Sequence, residues 1–174
     1  MTSVRLPEGF HLESLDRQQP RREFRSGQTQ VDDWLATKAL QQQDKHLSVT
    51  KVLLDEASQI AGFYTLAIGE VDFSDLPLVL VRKLPRRQLP VAILAWLGVQ
   101  VDRHGHGFGS LLLAQALRDC FQAGQTFAFI AVILDCIDEA AKAFYQRFDF
   151  QELPGRPLRL FLSMHQLQAM MESP

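Results

Sequence analysis

Residues 97–113, LGVQVDRHGHGFGSLLL, join a β-rich apolar run to an apolar helix through a bend of alternating glycines, and that reading decides the fold. Gly105, Gly107 and Gly109 carry no Cβ, so the backbone turns tightly and leaves successive N–H groups facing outward where the helix begins. Those first N–H groups have no intrahelical acceptor and sit at the positive end of the helix dipole, which suits them to hold a pyrophosphate without a lysine. No Gly-Lys-Ser/Thr follows, so this is not a Walker loop. The G-x-G-x-G spacing, with no acidic residue closing a following strand, also makes a poor dinucleotide fingerprint. The glycines alone are equally compatible with a strand-to-helix turn that holds nothing.

Working outward, residues 91–101 form a near-continuous apolar run of the kind a buried central strand needs. The spacing of Leu112, Ala116, Leu117 and Phe121 predicts a helix over 108–123 with one core-facing stripe. A buried strand over 127–134, a helix over 138–148 and a last strand over 158–164 follow. Upstream, Val31, Trp34, Leu35, Ala39 and Leu40 recur at helical spacing and predict a helix over 30–43. Residues 48–55 and 59–73 read as a hairpin turned at Asp55-Glu56-Ala57-Ser58, and Phe10, Leu12 and Leu15 as a first edge strand. Pro77 and Pro85 keep any helix between 74 and 89 short. Leu167, Met170 and Met171 give the tail a helical apolar face that packs on the body or on a second subunit. This order of elements predicts an α/β (α+β) sandwich with a mixed sheet, and the 174-residue length a single domain over 1–174.

The chain is 47% apolar with a formal net charge of −2, which argues against a dominant nucleic-acid surface. No apolar run approaches the roughly eighteen residues of a membrane span, and the N-terminus lacks the apolar centre of a signal peptide, so the expected location is cytoplasmic, with no membrane partner. Cys120 and Cys136 have no ligand-like neighbours and read as reduced packing residues; His104 and His106 lack a carboxylate or thiol at metal spacing, so no metal is expected. Against the near-neutral sum, Arg82, Lys83, Arg86 and Arg87 form one basic cluster and Arg17, Arg21, Arg22 and Arg25 another, local features suited to phosphate.

The segment His104-Gly105-His106-Gly107-Phe108-Gly109 resembles the Q/R-x-x-G-x-G/A acetyl-CoA loop of the GNAT N-acetyltransferases, with His104 in place of Gln or Arg. Residues 140–150, AAKAFYQRFDF, resemble that family's A-x-x-F-Y-x-x-x-G-F block, with Asp149 where glycine is usual. Further stretches, Phe24-Arg25-Ser26-Gly27, Val31-Asp32-Asp33-Trp34-Leu35, residues 60–67 and Leu160-Phe161-Leu162, look like the GNAT toxins of type II toxin–antitoxin modules. The likeness runs from about Phe24 to Leu162.

The resemblance implies the GNAT fold, a mostly antiparallel mixed sheet with splayed central strands flanked by helices. It implies acetyl-CoA held by main-chain groups of Val99 and Val101 on the pantetheine arm and by residues 104–110, namely His104, Gly105, His106, Gly107, Phe108, Gly109 and Ser110, on the pyrophosphate. It makes Tyr145 the residue beside the sulfur; a phenol with a pKa near 10 keeps a proton to give the departing thiolate. Arg82, Lys83, Arg86, Arg87 and Trp96 become substrate-binding positions, Trp96 standing where the toxin branch often has arginine. The branch acetylates the α-amine of aminoacyl-tRNA, so tRNA, a ribbon-helix-helix antitoxin and a second copy in a homodimer are the implied partners. A transferase for a small amine or protein lysine, and an inactive CoA-binding regulator, are the alternatives. No general base is marked among Glu70, Asp72, His104, His106 and Asp135.

Overall fold

Asp55 reverses the chain because its Oδ1 accepts the N–H groups of Ala57 and Gln59, each at 2.9 Å, and that turn sets the register of the first hairpin. The computed structural model describes residues 4–173. Within them β2 (Val49–Leu54) pairs antiparallel with β3 (Ile60–Asp72), from Val49↔Leu66 to Leu54↔Ile60, and β1 (His11–Ser14) adds antiparallel to β2. The sheet has seven strands in the order β1-β2-β3-β4-β5-β7-β6, completed by β4 (Gln88–Val99), β5 (Ala131–Asp135), β6 (Gln151–Leu153) and β7 (Arg156–Ser163). The β4–β5 pair is parallel, with register Ala92↔Val132 and Ile93↔Ile133. β5–β7 and β6–β7 are antiparallel, so the expected mixed, mostly antiparallel sheet is present.

Two compact units share this chain. The first comprises residues 3–67 and 94–117, the second chiefly 68–93 and 118–174, so β3, β4 and the helix α4 (Phe108–Gly124) each contribute to both.

In the first unit, α1 (Thr29–Asp33) continues through a π-helical turn at Trp34–Lys38 into α2 (Ala39–Asp44), where the expected helix lies. Its buried side chains Val31, Leu35 and Ala39 meet Val52, Leu54 and Phe63 of the sheet and Leu15 and Phe24 of the N-terminal segment. Gln43 fastens α2 to the strands, donating to Leu15 O and accepting from Thr50 N, both at 2.9 Å. β3 and β4 approach closely at paired glycines: a Cβ on Gly62 would lie 2.5 Å from Leu112 Cδ1 and 2.9 Å from Gly98 O.

The second unit has its own core of Val71, Leu76, Val81, Leu89, Val91, Ala131, Ile133, Leu153 and Phe161. α3 (Leu78–Val81) is a single turn, as the prolines require. α5 (Glu139–Gln146) starts at Asp138, whose carboxylate accepts Ala141 N at 2.8 Å. α6 (Met164–Glu172) opens with a capping box between Ser163 and Gln166 and buries Leu167.

Three expectations are corrected. Phe127 does not start a strand; it is 77% exposed, because Thr126 N and Phe127 N both bond Ala123 O and prolong the last turn of α4, delaying β5 to Ala131. Phe121 is half-buried, at the margin of a stripe whose buried positions are Leu112, Leu113, Ala116, Leu117 and Cys120. The strand over 158–164 begins earlier, at Arg156, and is preceded by β6 through a turn in which Gly155 takes φ 75°.

Gly62→Ala is expected to cost about 1–3 kcal/mol, since the Gly98 carbonyl cannot yield as a flexible side chain would. A urea unfolding curve with lowered midpoint and unchanged slope checks it.

Candidate functional site

In the first unit the glycine bend is built on a braced strand end. Gln100 N donates to Ala61 O of β3 at 2.9 Å, Val101 N to Arg25 O at 2.7 Å, and Arg25 N returns a bond to Gln100 Oε1 at 2.9 Å. After one 3₁₀ turn at Val101–Arg103, Gly105 and Gly107 adopt φ 78° and 81°, the left-handed region that a Cβ disfavours. Nothing lies within 4 Å of a Cβ built on either, so the need for glycine there is conformational and the bend faces open space. The first acceptor used by α4 is Gly107 O, which takes Leu111 N at 3.1 Å. Among the described residues, the N–H groups from Gly105 through Ser110 meet no backbone carbonyl, which is the arrangement an anion requires.

The side chains of the bend divide by role. Phe108 is buried against Phe10, ring centroids 5.4 Å apart, so it anchors the helix start. Arg103, not singled out by the sequence, lies over the Phe10 and Phe108 rings at 5.1 and 5.9 Å and pairs with Asp55 at 3.1 Å. His106 is exposed and Ser110 half-buried. His104 is exposed, with Nε2 2.8 Å from Val99 O, so its ring engages the strand end. Of the two backbone positions expected for a pantetheine arm, Val101 has its N–H in use and Val99 has its carbonyl capped. Trp96 stacks on Trp34, centroids 5.2 Å apart and planes 13° from parallel, and Trp34 Nε1 donates to Thr65 Oγ1 at 3.2 Å. The spacing of Trp34 predicts a helix core residue; a π-helical turn beginning at it is the local departure that marks it.

In the second unit Tyr145 lies on α5, 9% exposed, with Phe144 and Phe150 edge-on at 5.1 and 5.9 Å. Burial first, and then the neighbouring Cys136, push its phenol above the usual range, so the proton stays on at neutral pH. Lys142 on the same helix is buried and ion-paired with Glu152 of β6. Burial raises the thiols of Cys120 and Cys136 to about 12 and about 11, which suits inert packing residues. Past the helix, Asp149 takes φ 68°, the physical reason a glycine suits that position. A hollow of about 620 Å³ lined by Pro77, Val79, Asp149, Glu152 and Phe161 lies in this unit, but its walls hold none of the residues with acyl-transfer chemistry.

Arg82, Lys83, Arg86 and Arg87 all stand exposed on the loop between α3 and β4, with Arg86 over the Phe73 ring at 5.7 Å. The other basic run is spent locally: Arg17 pairs with Asp44 at 3.2 Å, Arg21 Nη1 donates to Asp16 O at 3.3 Å, and Arg25 Nη1 donates to Arg22 O and Phe24 O at 2.8 and 2.7 Å. Among the unassigned acids, Asp72 caps Ser74, which lowers its pKa, and Asp135 is held by Arg159 Nε and Nη2 at 2.8 and 2.9 Å. Both carboxylates are committed to structure. Among the described residues no group of three or more His, Cys, Asp or Glu is placed to hold a metal, and no helix is long and apolar enough to cross a membrane.

Residues 11–150 match the family model described as the acetyltransferase (GNAT) family. The chain is 35% identical over 147 residues to a tRNA-acetylating toxin of Mycobacterium tuberculosis, covering 84% of this chain and 87% of that protein. Among solved structures, AtaT complexed with acetyl-methionyl-tRNAfMet superposes with a TM-score of 0.85 at 22% identity, covering 93% of this chain and 99% of that one. A tyrosine-to-phenylalanine mutant of AtaT, bound to the C-terminus of the antitoxin AtaR and acetyl-CoA, gives a TM-score of 0.81 at 18% identity over 95% of this chain and 100% of that one.

Asp149→Gly relieves the left-handed strain and is expected to raise stability by about 0.5–1 kcal/mol, the steric relief of some 1–2 kcal/mol outweighing the added chain entropy of glycine. An increased urea midpoint checks it.

Proposed function

The chain belongs to the acetyltransferase (GNAT) family, and from that membership we propose that it acetylates the α-amine of aminoacyl-tRNA with acetyl-CoA as donor, so blocking translation. The observation that carries the reading is the row of unengaged amides from Gly105 to Ser110. A pyrophosphate there takes several N–H bonds at the positive end of α4, with Gly105 and Gly107 holding the backbone in the shape that presents them. The main chain of Val99 serves the pantetheine arm, as an added strand is served by a sheet edge. Acetyl-CoA supplies the acetyl group as a thioester. The amine nitrogen forms the new bond to carbon as the carbon–sulfur bond breaks, Tyr145 gives its phenolic proton to the departing sulfur, and the proton shed by the acylated nitrogen passes through water to the Tyr145 phenolate, restoring the phenol. A tyrosine phenol carries its proton at neutral pH, and the likeness of residues 140–150 to the family block supports Tyr145 as the acid. None of the carboxylates supports a general base; an amine that arrives neutral needs none to attack, and the proton it sheds afterwards goes to the Tyr145 phenolate.

The exposed Arg82, Lys83, Arg86 and Arg87 hold the tRNA phosphates in this reading, since each keeps its charge on a solvent-facing loop. Trp96 offers the aminoacyl end an aromatic wall backed by Trp34. Leu78 and Val79 are 82% and 83% exposed on α3, which supports a homodimer through that turn. A protein antitoxin is the second partner, supported by the C-terminus of the antitoxin AtaR bound to AtaT, and its ribbon-helix-helix type is what the family resemblance implies. The work is cytoplasmic, where charged tRNA is found. Because β3, β4 and α4 run through both compact units, the chain acts as one acetyltransferase domain.

Incubation with labelled acetyl-CoA and charged tRNA is expected to yield acetyl-aminoacyl-tRNA. Label on a polyamine or peptide instead would reassign the acceptor to a small amine or lysine, and binding without any transfer would make the chain a CoA-binding regulator. Tyr145→Phe is expected to bind acetyl-CoA within twofold of the parent while transferring about 10²-fold or more slowly. Parent-rate turnover by that variant removes the assigned role.

A further inference from the structure

His104 occupies the acceptor that a pantetheine arm needs. Gln100 N–H and Gly98 O both face β3, the first through its bond to Ala61 O and the second through its approach to Gly62. Backbone groups alternate in direction along a strand, so the N–H and C=O of Val99 face the opposite edge of β4. Just beyond the strand end Val101 N is taken by Arg25 O, and on that opposite edge the carbonyl of Val99 receives His104 Nε2 at 2.8 Å. A carbonyl oxygen only accepts, so the ring nitrogen there carries the hydrogen. The imidazole is exposed, and exposed side chains change rotamer on the picosecond-to-nanosecond scale, so the ring can leave the carbonyl without disturbing the core.

We infer that His104 is a displaceable cap on Val99: its ring covers the free strand edge in the empty protein, leaves it when a pantetheine amide arrives, and then offers its N–H to the pyrophosphate at the same bend. The inference rests on the acetyl-CoA reading above and assigns a positioning role to a residue standing where a Gln or Arg is usual. It separates two effects that one ligand mixes. The cap opposes pantetheine, and the freed donor favours phosphate.

Two variants and two probes test it by calorimetry. His104→Ala should bind S-acetylpantetheine, which lacks phosphate, about two- to tenfold tighter than the parent, the factor expected for removing one competing hydrogen bond. The same variant should bind acetyl-CoA several-fold more weakly, because a charge-assisted bond to the pyrophosphate is lost. His104→Gln, which keeps an N–H donor, should return both affinities toward the parent. In nitrogen-15-labelled parent protein, the His104 ring signals should report a proton on Nε2 and should shift when acetyl-CoA is added. S-acetylpantetheine bound no tighter by His104→Ala, or ring signals unmoved by bound acetyl-CoA, overturns the cap while leaving the acetyl-CoA reading intact. No heat of binding between the parent and acetyl-CoA overturns that reading and the cap together.

Discussion

Peptide N–H groups with no partner inside the protein are the constraint on which the functional surface depends. A helix must begin somewhere, and its first amides are left without intrahelical acceptors. Here that deficit is extended upstream by two left-handed glycines, so the unpaired amides run from Gly105 to Ser110 and not merely over the first turn of α4. The bend is exposed, but its footing is not loose. Phe108 is sunk against Phe10, Arg103 covers both rings and is fixed by Asp55, and Val101 is tied to Arg25. An anion therefore meets donors whose positions are set before it arrives, which is how a site avoids spending binding energy on ordering itself.

The chemistry of the second unit rests on burial. Tyr145 has aromatic neighbours on two sides and little water, so the neutral phenol is favoured over the phenolate. Burial also raises the Cys136 thiol and makes it an inert neighbour, and on the same helix Lys142 is ion-paired with Glu152. Asp149 sustains a left-handed turn just beyond the helix, and the chain reverses there into β6. Aspartate tolerates this conformation better than most residues, which is how the position departs from glycine without losing the turn.

Charge is distributed by structure in a way the sum hides. The arginines at 17, 21 and 25 are absorbed by Asp44 and by nearby carbonyls and so brace the N-terminal segment. The loop at 82–87 has no such partners for most of its cations and stays exposed. A protein with a net charge of −2 thus keeps a concentrated basic loop at 82–87, which matters more for phosphate recognition than the total.

By itself, the sequence determined most of the elements and their order. Helical and alternating periodicities are local and strong, and prolines at 77 and 85 restrict what lies between them. It also determined the glycine bend, because Gly105 and Gly107 signal a backbone conformation directly, and it picked out Tyr145 through motif context. Only the tertiary structure decided who partners whom. Arg103 meets Phe10 and Trp34 stacks on Trp96 because elements distant in sequence come together, and His104 turns back to Val99 because of the bend's own backbone path; periodicity encodes neither. The short strand β6 and the exposed Phe127 were illegible for a related reason. Three residues are too few to show a period, and an apolar side chain beyond a helix end is placed by where the last turn closes, which depends on the carbonyl of Ala123 and not on hydropathy.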